Sequence, residues 1–70
     1  MKNRLKDLRT EAGLTQADLA ARLNVSRQAV IAIESDKHDP SLDLAYRIAA
    51  IFDLAVEAIF ENAYRLNSGE

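Results

Sequence analysis

The sequence predicts an all-α domain built from five short helices. Apolar residues recur at three- and four-residue spacing along most of the chain, the pattern of amphipathic helices rather than of alternating strands. Thr15, Ser26 and Ser41, all residue types that start helices, stand ahead of three of these apolar segments. The one strand-like run, Val30–Ile33, is outweighed by the helical pattern around it. At 70 residues the chain is one domain, close to the lower size at which a core holds unaided. It has no cysteine, hence no disulfide or thiolate metal site to staple it, and support must come from packed helices and from pairing with a second copy.

Leu5, Leu8 and Ala12 fall at i, i+3 and i+7, which places a first helix over about residues 2–12. Gly13 follows, where a left-handed residue costs least. Thr15 and Asp18 make a Thr-x-x-Asp start for a second helix running to about Leu23. Asn24 sits in the break, and after glycine asparagine is the residue most tolerant of positive φ. Ser26 opens a third helix over about residues 27–35. Asp36 to Pro40 reads as a polar loop, and Ser41 opens a fourth helix with Leu44, Ile48 and Phe52 on one side. Pro40 fits just outside that start, because the residue before a proline resists helix. Asp53 to Ala55 interrupts, and Val56, Ile59 and Phe60 mark a short fifth helix. The expected organisation is a domain over residues 1–61 and a frayed polar tail over 62–70.

The net charge of −2 is unevenly spread. Residues 1–37 carry seven basic and five acidic side chains, whereas residues 38–70 carry two basic and six acidic ones. Phosphate binding is thus open to one side of the molecule, with modest and salt-sensitive affinity given so few cations. No apolar run approaches the ~20 residues that span a bilayer, and no apolar segment follows the N-terminal cations as a signal peptide requires. The expectation is a cytoplasmic protein without membrane contact. A Gly-rich phosphate loop, a nucleophile elbow and paired catalytic carboxylates are all missing from the sequence, which argues against an enzyme and against a cofactor. His38, in Asp36-Lys37-His38-Asp39, lacks a second ligand at helical spacing and reads as a solvated turn rather than a metal site.

The second and third helices carry the functional pattern. Two short helices joined by a tight turn meet at a steep angle, which makes specific demands on their residues. Counting from Gln16, the fifth position is Ala20, small enough for close approach, and the ninth is Asn24, where the chain turns. Leu19, Leu23, Val25, Val30 and Ile33 supply the apolar contacts between the pair. All seven positions are met at once over residues 16–35, which identifies a helix-turn-helix.

The stretch Gly13-Leu14-Thr15-Gln16-Ala17-Asp18-Leu19-Ala20, followed by Val25-Ser26-Arg27-Gln28, resembles the Xre (Cro/CI) family of phage and bacterial repressors. The likeness continues through Ile33-Glu34, Pro40-Ser41-Leu42 and Ile59-Phe60, covering about residues 2–61, and is closest to small stand-alone members. It implies a five-helix, lambda-repressor-like domain that binds double-stranded operator DNA as a two-fold homodimer and represses transcription. Carried over by position, Gln16 would anchor a phosphate and brace the first recognition residue. Arg27, Gln28, Ile31 and Ala32 would face the major groove, with Ser26 at its edge on the DNA backbone. Ser35 and Lys37 would meet backbone phosphates, and Arg9 and Glu34 stand where the family often has a structural salt bridge. The side-chain chemistry agrees, since arginine chelates guanine O6 and N7, glutamine chelates adenine N6 and N7, and small apolar groups suit a thymine methyl.

Three departures from the family pattern bear on the fold and the site. Ile31 occupies a position that is usually polar, either as an extension of the core or as a thymine-methyl contact. Asp36 stands where glycine commonly ends the third helix, which leaves the entry into that loop strained or differently shaped. Asp53 replaces a frequent glycine and Ala55 a frequent capping serine, so the start of the fifth helix is under-specified. Leu54, Val56, Ile59, Phe60 and Tyr64 exceed what one face of so short a helix can bury. Ile59 is expected in the core, where Phe60 would close it too, and part of the set, Leu54, Val56, Phe60 and Tyr64, at an isologous dimer contact. The alternative reading is an antitoxin or protein-interaction module that holds a protein partner through its acidic C-terminal half and also represses its own promoter.

Overall fold

The computed structural model describes residues 1–64 and contains five helices: α1 (Leu5–Glu11), α2 (Gln16–Leu23), α3 (Arg27–Glu34), α4 (Leu42–Phe52) and α5 (Val56–Ile59). Part of the expected tail, residues 65–70, lies outside this description. Three helix starts are set by the local chemistry that the sequence predicts. Thr15 and Asp18 form a complete capping box, the Thr15 hydroxyl accepting from Asp18 N at 3.0 Å and Asp18 Oδ2 from Thr15 N at 2.9 Å. Ser26 caps Ala29 N and Ser41 caps Leu44 N, each at 3.1 Å. Ala55 provides no side-chain cap, and α5 is only four residues long.

Helices α1 to α4 all end in the same way. In each, the residue two past the left-handed position's predecessor closes a 6→1 hydrogen bond back to the helix: Leu14 N to Arg9 O, Val25 N to Ala20 O, Lys37 N to Ala32 O and Leu54 N to Ala49 O, at 3.0–3.1 Å. The left-handed residues are Gly13 (φ 73°), Asn24 (φ 57°), Asp36 (φ 62°) and Asp53 (φ 53°). The two aspartates therefore keep the backbone that glycine would adopt freely, at a conformational cost that their short polar side chains reduce.

The first helix departs from expectation. It begins at Leu5 rather than near residue 2, because residues 2–4 instead pair with the end of α5 around an isolated bridge at Asn3. Arg4 N donates to Ile59 O and Glu61 N to Lys2 O, both at 2.9 Å, around an antiparallel bridge between Asn3 and Phe60. The Asn3 amide closes the arrangement: its Oδ1 accepts from Leu5 N at 3.0 Å, and its Nδ2 donates to Ile33 O at 2.9 Å and to Asp36 Oδ1 at 3.2 Å.

This pairing corrects the reading of Phe60. The helix stops at Ile59, and Phe60 is extended (φ −110°, ψ 126°), so its ring follows strand rather than helix periodicity and turns inward. At 4% exposure Phe60 belongs to the core beside Ile59, the first of its two expected places, and leaves little surface for the expected dimer contact. The rest of that core comprises Leu5, Leu8, Leu19, Ala20, Leu23, Val30, Ile33, Ala45, Ile48, Ala49 and Ile59. Its large aliphatic side chains each contribute on the order of 2 kcal/mol by leaving water. Arg47, on α4, donates to Leu23 O at 3.1 Å and pairs with Asp43 at 2.7 Å, which places a cation at the negative end of α2.

Candidate nucleic-acid interface

Helix α3 is divided lengthwise. Its Val30 and Ile33 are fully buried, whereas Arg27 and Gln28 are exposed and Ile31 and Ala32 half-buried. With 3.6 residues per turn, positions 27, 28, 31 and 32 share one arc, turned away from the arc that packs against α2. The exposed arc thus offers a guanidinium, a primary amide and two small apolar surfaces side by side. Such a set matches the donor, acceptor and methyl pattern of base edges in a major groove. Ile31 is partly shielded by its own domain and combines core extension with residual surface.

Polar groups frame this arc at both ends. Ser26 is exposed, and because its oxygen accepts from Ala29 N its hydroxyl proton is left to donate outward. Ser35 and Lys37 are exposed just beyond α3, with the Ser35 hydroxyl bonded back to Ala32 O at 3.2 Å. Between the α1–α2 turn and Arg27 runs an open groove of about 740 Å³, lined by Arg9, Gly13, Leu14, Thr15, Gln16, Ala17 and Arg27. Those seven residues include two arginines and no acid, and the groove opens at the start of α2, where the helix dipole favours an anion.

The site rests on a buried ion pair. Arg9 Nε lies 2.6 Å from Glu34 Oε2 and Arg9 Nη2 3.3 Å from Oε1, with the side chains 11% and 5% exposed. A third guanidinium nitrogen, Nη1, donates to Leu14 O at 2.9 Å and ties α1 to the turn before α2. Gln16 is half-buried between this pair and α3: its Nε2 donates to Glu34 Oε1 at 3.2 Å, and its Oε1 accepts from Arg27 Nη2 at 3.4 Å. Among the described residues no buried side-chain polar atom lacks a hydrogen-bond partner.

The other sequence candidates lie elsewhere. Leu54 is 37% exposed and Tyr64 93% exposed, Val56 is half-buried, and Met1, Val56, Phe60 and Tyr64 line a groove of about 990 Å³ at the α5 end. His38 and its flanking aspartates remain a surface turn, Asp39 being engaged by the N-terminal amine at 3.0 Å. No cluster of three or more potential metal ligands occurs among the described residues, and no helix there is long and apolar enough to cross a membrane. The sequence reading missed Asn3 and Arg47, whose partners lie 30 and 24 residues away. Exposed apolar residues on α4, Leu42 (68%) and Tyr46 (61%), were also missed, although their four-residue spacing is visible in the sequence.

Comparison with known proteins points the same way. Residues 5–59 match the family described as Helix-turn-helix, HTH_3. Over 60 residues the chain is 57% identical to an uncharacterized HTH-type transcriptional regulator of Methanocaldococcus jannaschii, covering 86% of this chain and 91% of that protein. It is 39% identical over 56 residues to the immunity repressor protein of Bacillus phage phi105, covering 80% of this chain and 39% of the repressor. Its structure is similar to the SinR protein/SinI protein complex, with a TM-score of 0.75 and 25% identity, covering 93% of this chain and 65% of that one.

Proposed function

The chain belongs to the Helix-turn-helix family of DNA-binding transcriptional regulators, in its Xre (Cro/CI) branch, and on that premise we propose that it is a dimeric repressor reading a pseudo-palindromic operator. Two copies of α3 enter successive major grooves about 34 Å apart. Arg27 and Gln28 read base edges there, Ile31 and Ala32 pack on thymine methyls, and Gln16, Ser26, Ser35 and Lys37 hold the backbone. The observation that carries the reading is the exposed arc of α3, with Arg27 and Gln28 presented beside a half-buried glutamine that contacts Arg27. Leu54, Val56 and Tyr64 around the α5 groove form the contact between copies. Repression follows from occupying promoter DNA.

Selection from randomised duplexes tests specificity, half-site spacing and symmetry together. The expected product is a two-fold site with half-site centres one helical turn apart. Arg27→Ala/Gln28→Ala should abolish discrimination and leave the helical circular dichroism unchanged; a normal footprint from the double variant overturns the assignment. Sedimentation showing a monomer at high micromolar concentration overturns the dimer.

A second reading adds a protein partner. Leu42 and Tyr46 stand exposed on α4 in the acidic half of the chain, and the structural neighbour is itself a complex of two proteins. Purification from native cells separates the readings, through a stoichiometric second protein or through a homodimer with DNA.

A further inference from the structure

The Gln16 amide has one orientation that satisfies both of its neighbours. Its Nε2 faces Glu34 Oε1 at 3.2 Å and its Oε1 faces Arg27 Nη2 at 3.4 Å. Flipping the amide would set oxygen against carboxylate and NH2 against guanidinium, replacing two donor–acceptor pairs with two like pairs. Glu34 therefore dictates which end of Gln16 meets Arg27. Glu34 is itself held in place: its side chain is 5% exposed, and Arg9 engages both of its oxygens. Arg27 and Glu34 are the first and last residues of α3, so Gln16 lies across the helix from its anchored end to its exposed start.

We infer that the buried Glu34, held by Arg9, is a positioning residue for sequence reading: it orients Gln16, which presents the Arg27 guanidinium in one direction and so raises the preference for guanine at the base pair Arg27 reads. This rests on the proposed role of Arg27 as a base reader. An exposed arginine otherwise spreads over many rotamers, and ordering it on the DNA carries an entropic penalty. Holding it beforehand reduces that penalty by about the worth of one hydrogen bond, a two- to twelvefold change in preference.

The test is position-resolved selection from randomised duplexes, with thermal melts of every variant. Arg27→Ala locates the base pair at which preference depends on Arg27; if it alters none, the reading of Arg27 fails and takes this inference with it. Arg9→Met/Glu34→Leu exchanges the ion pair for apolar side chains, a replacement that is often neutral or stabilising. The expected result is a folded variant, its melting temperature lowered only by the lost bond to Leu14 O, with a two- to twelvefold loss of guanine preference at that one position. Arg9→Met/Glu34→Gln restores an acceptor for Gln16 and should recover the preference. Full preference in the folded Met/Leu variant, or an equal loss at all positions, overturns the inference while leaving Arg27 as a reader. If the Met/Leu variant does not fold, Gln16→Met leaves the ion pair intact and must show the same single-position loss; retained preference there also overturns the inference.

Discussion

Helix α4 ends on Asp53, held at φ 53° and ψ 47° with an exposed side chain, and the exchange Asp53→Gly separates two effects acting at that point. The left-handed conformation costs an L-residue about 1–2 kcal/mol, and aspartate lies at the low end because its carboxylate bonds locally. Glycine removes that strain but loses about 0.5–1 kcal/mol through the greater freedom of the unfolded chain. The exchange also removes an anion from the negative end of the α4 dipole, a gain of about 0.3–1 kcal/mol. The net stabilisation is about 0.3–1.5 kcal/mol, or about 1–12 °C in melting temperature for a domain of this size. Thermal melts by circular dichroism at low and high salt measure it, with Asp53→Asn reporting the charge contribution alone. In high salt the glycine gain should fall to its backbone part, about 0–0.5 kcal/mol, and the asparagine gain should shrink toward zero. Asp36→Gly, at φ 62°, should gain less, because it also gives up the 3.2 Å bond from Asn3 Nδ2. An Asp53→Gly variant that melts below the parent at both salt concentrations would refute the assigned left-handed cap.

Four further expectations follow from the same geometry. Gly13→Ala should lose about 1 kcal/mol through backbone strain alone, since φ is 73° and an added Cβ meets nothing within 4 Å; chemical denaturation measures the loss. Bonds from the Thr15 backbone N–H and then its hydroxyl hold the Asp18 carboxyl below its ordinary value, so its contribution is complete above about pH 4 and lost as pH falls through the lowered value. Asp18→Asn should therefore be less stable than the parent at neutral pH, and urea titrations of the two should converge in acid. Lys37→Ala should weaken binding to all sites alike and lower the salt slope of log K by about 0.9 per subunit, read by anisotropy titration across salt concentrations. Asn3→Ala should lose about 1.5–3 kcal/mol, and Asn3→Asp at least as much despite keeping the Leu5 cap, because it sets an acceptor against Ile33 O; a fully stable Asn3→Asp variant in thermal melts counts against that network.

What the sequence made legible was local. The three side-chain caps join residues three apart, and the turn residues Gly13 and Asn24 announce their conformation by type. Paired residues far apart in sequence were not legible, because no periodicity connects Asn3 to Ile33 or Arg47 to Leu23. Phe60 shows how this misleads. A helical wheel extended past Ile59 puts its ring on a surplus face, whereas the chain has switched to extended backbone to meet Asn3. The candidate interface was more legible than the α5 end, since Arg27, Gln28, Ile31 and Ala32 all lie within one short helix whose apolar face is unambiguous.

The charge distribution bears on how such a domain selects its site. Of the basic residues in the N-terminal half, Arg9 is committed to Glu34 and Leu14 O, and Arg4 reaches Ala58 O at 3.5 Å. Of the other five, Arg27 and Lys37 stand at the two ends of α3, with Lys2, Lys6 and Arg22 elsewhere, while the net charge of the chain is −2. Sequence-independent affinity grows with the number of phosphates neutralised, so with few cations beside α3 it is expected to be small and to fall with salt. Discrimination depends on the difference between specific and non-specific binding, and a weak non-specific term leaves base contacts a larger share of the total. A surface poor in cations therefore places its selectivity on the orientation of a few side chains. In this fold the Arg27 guanidinium is tied through Gln16 to an ion pair less exposed than any group that meets solvent at the interface.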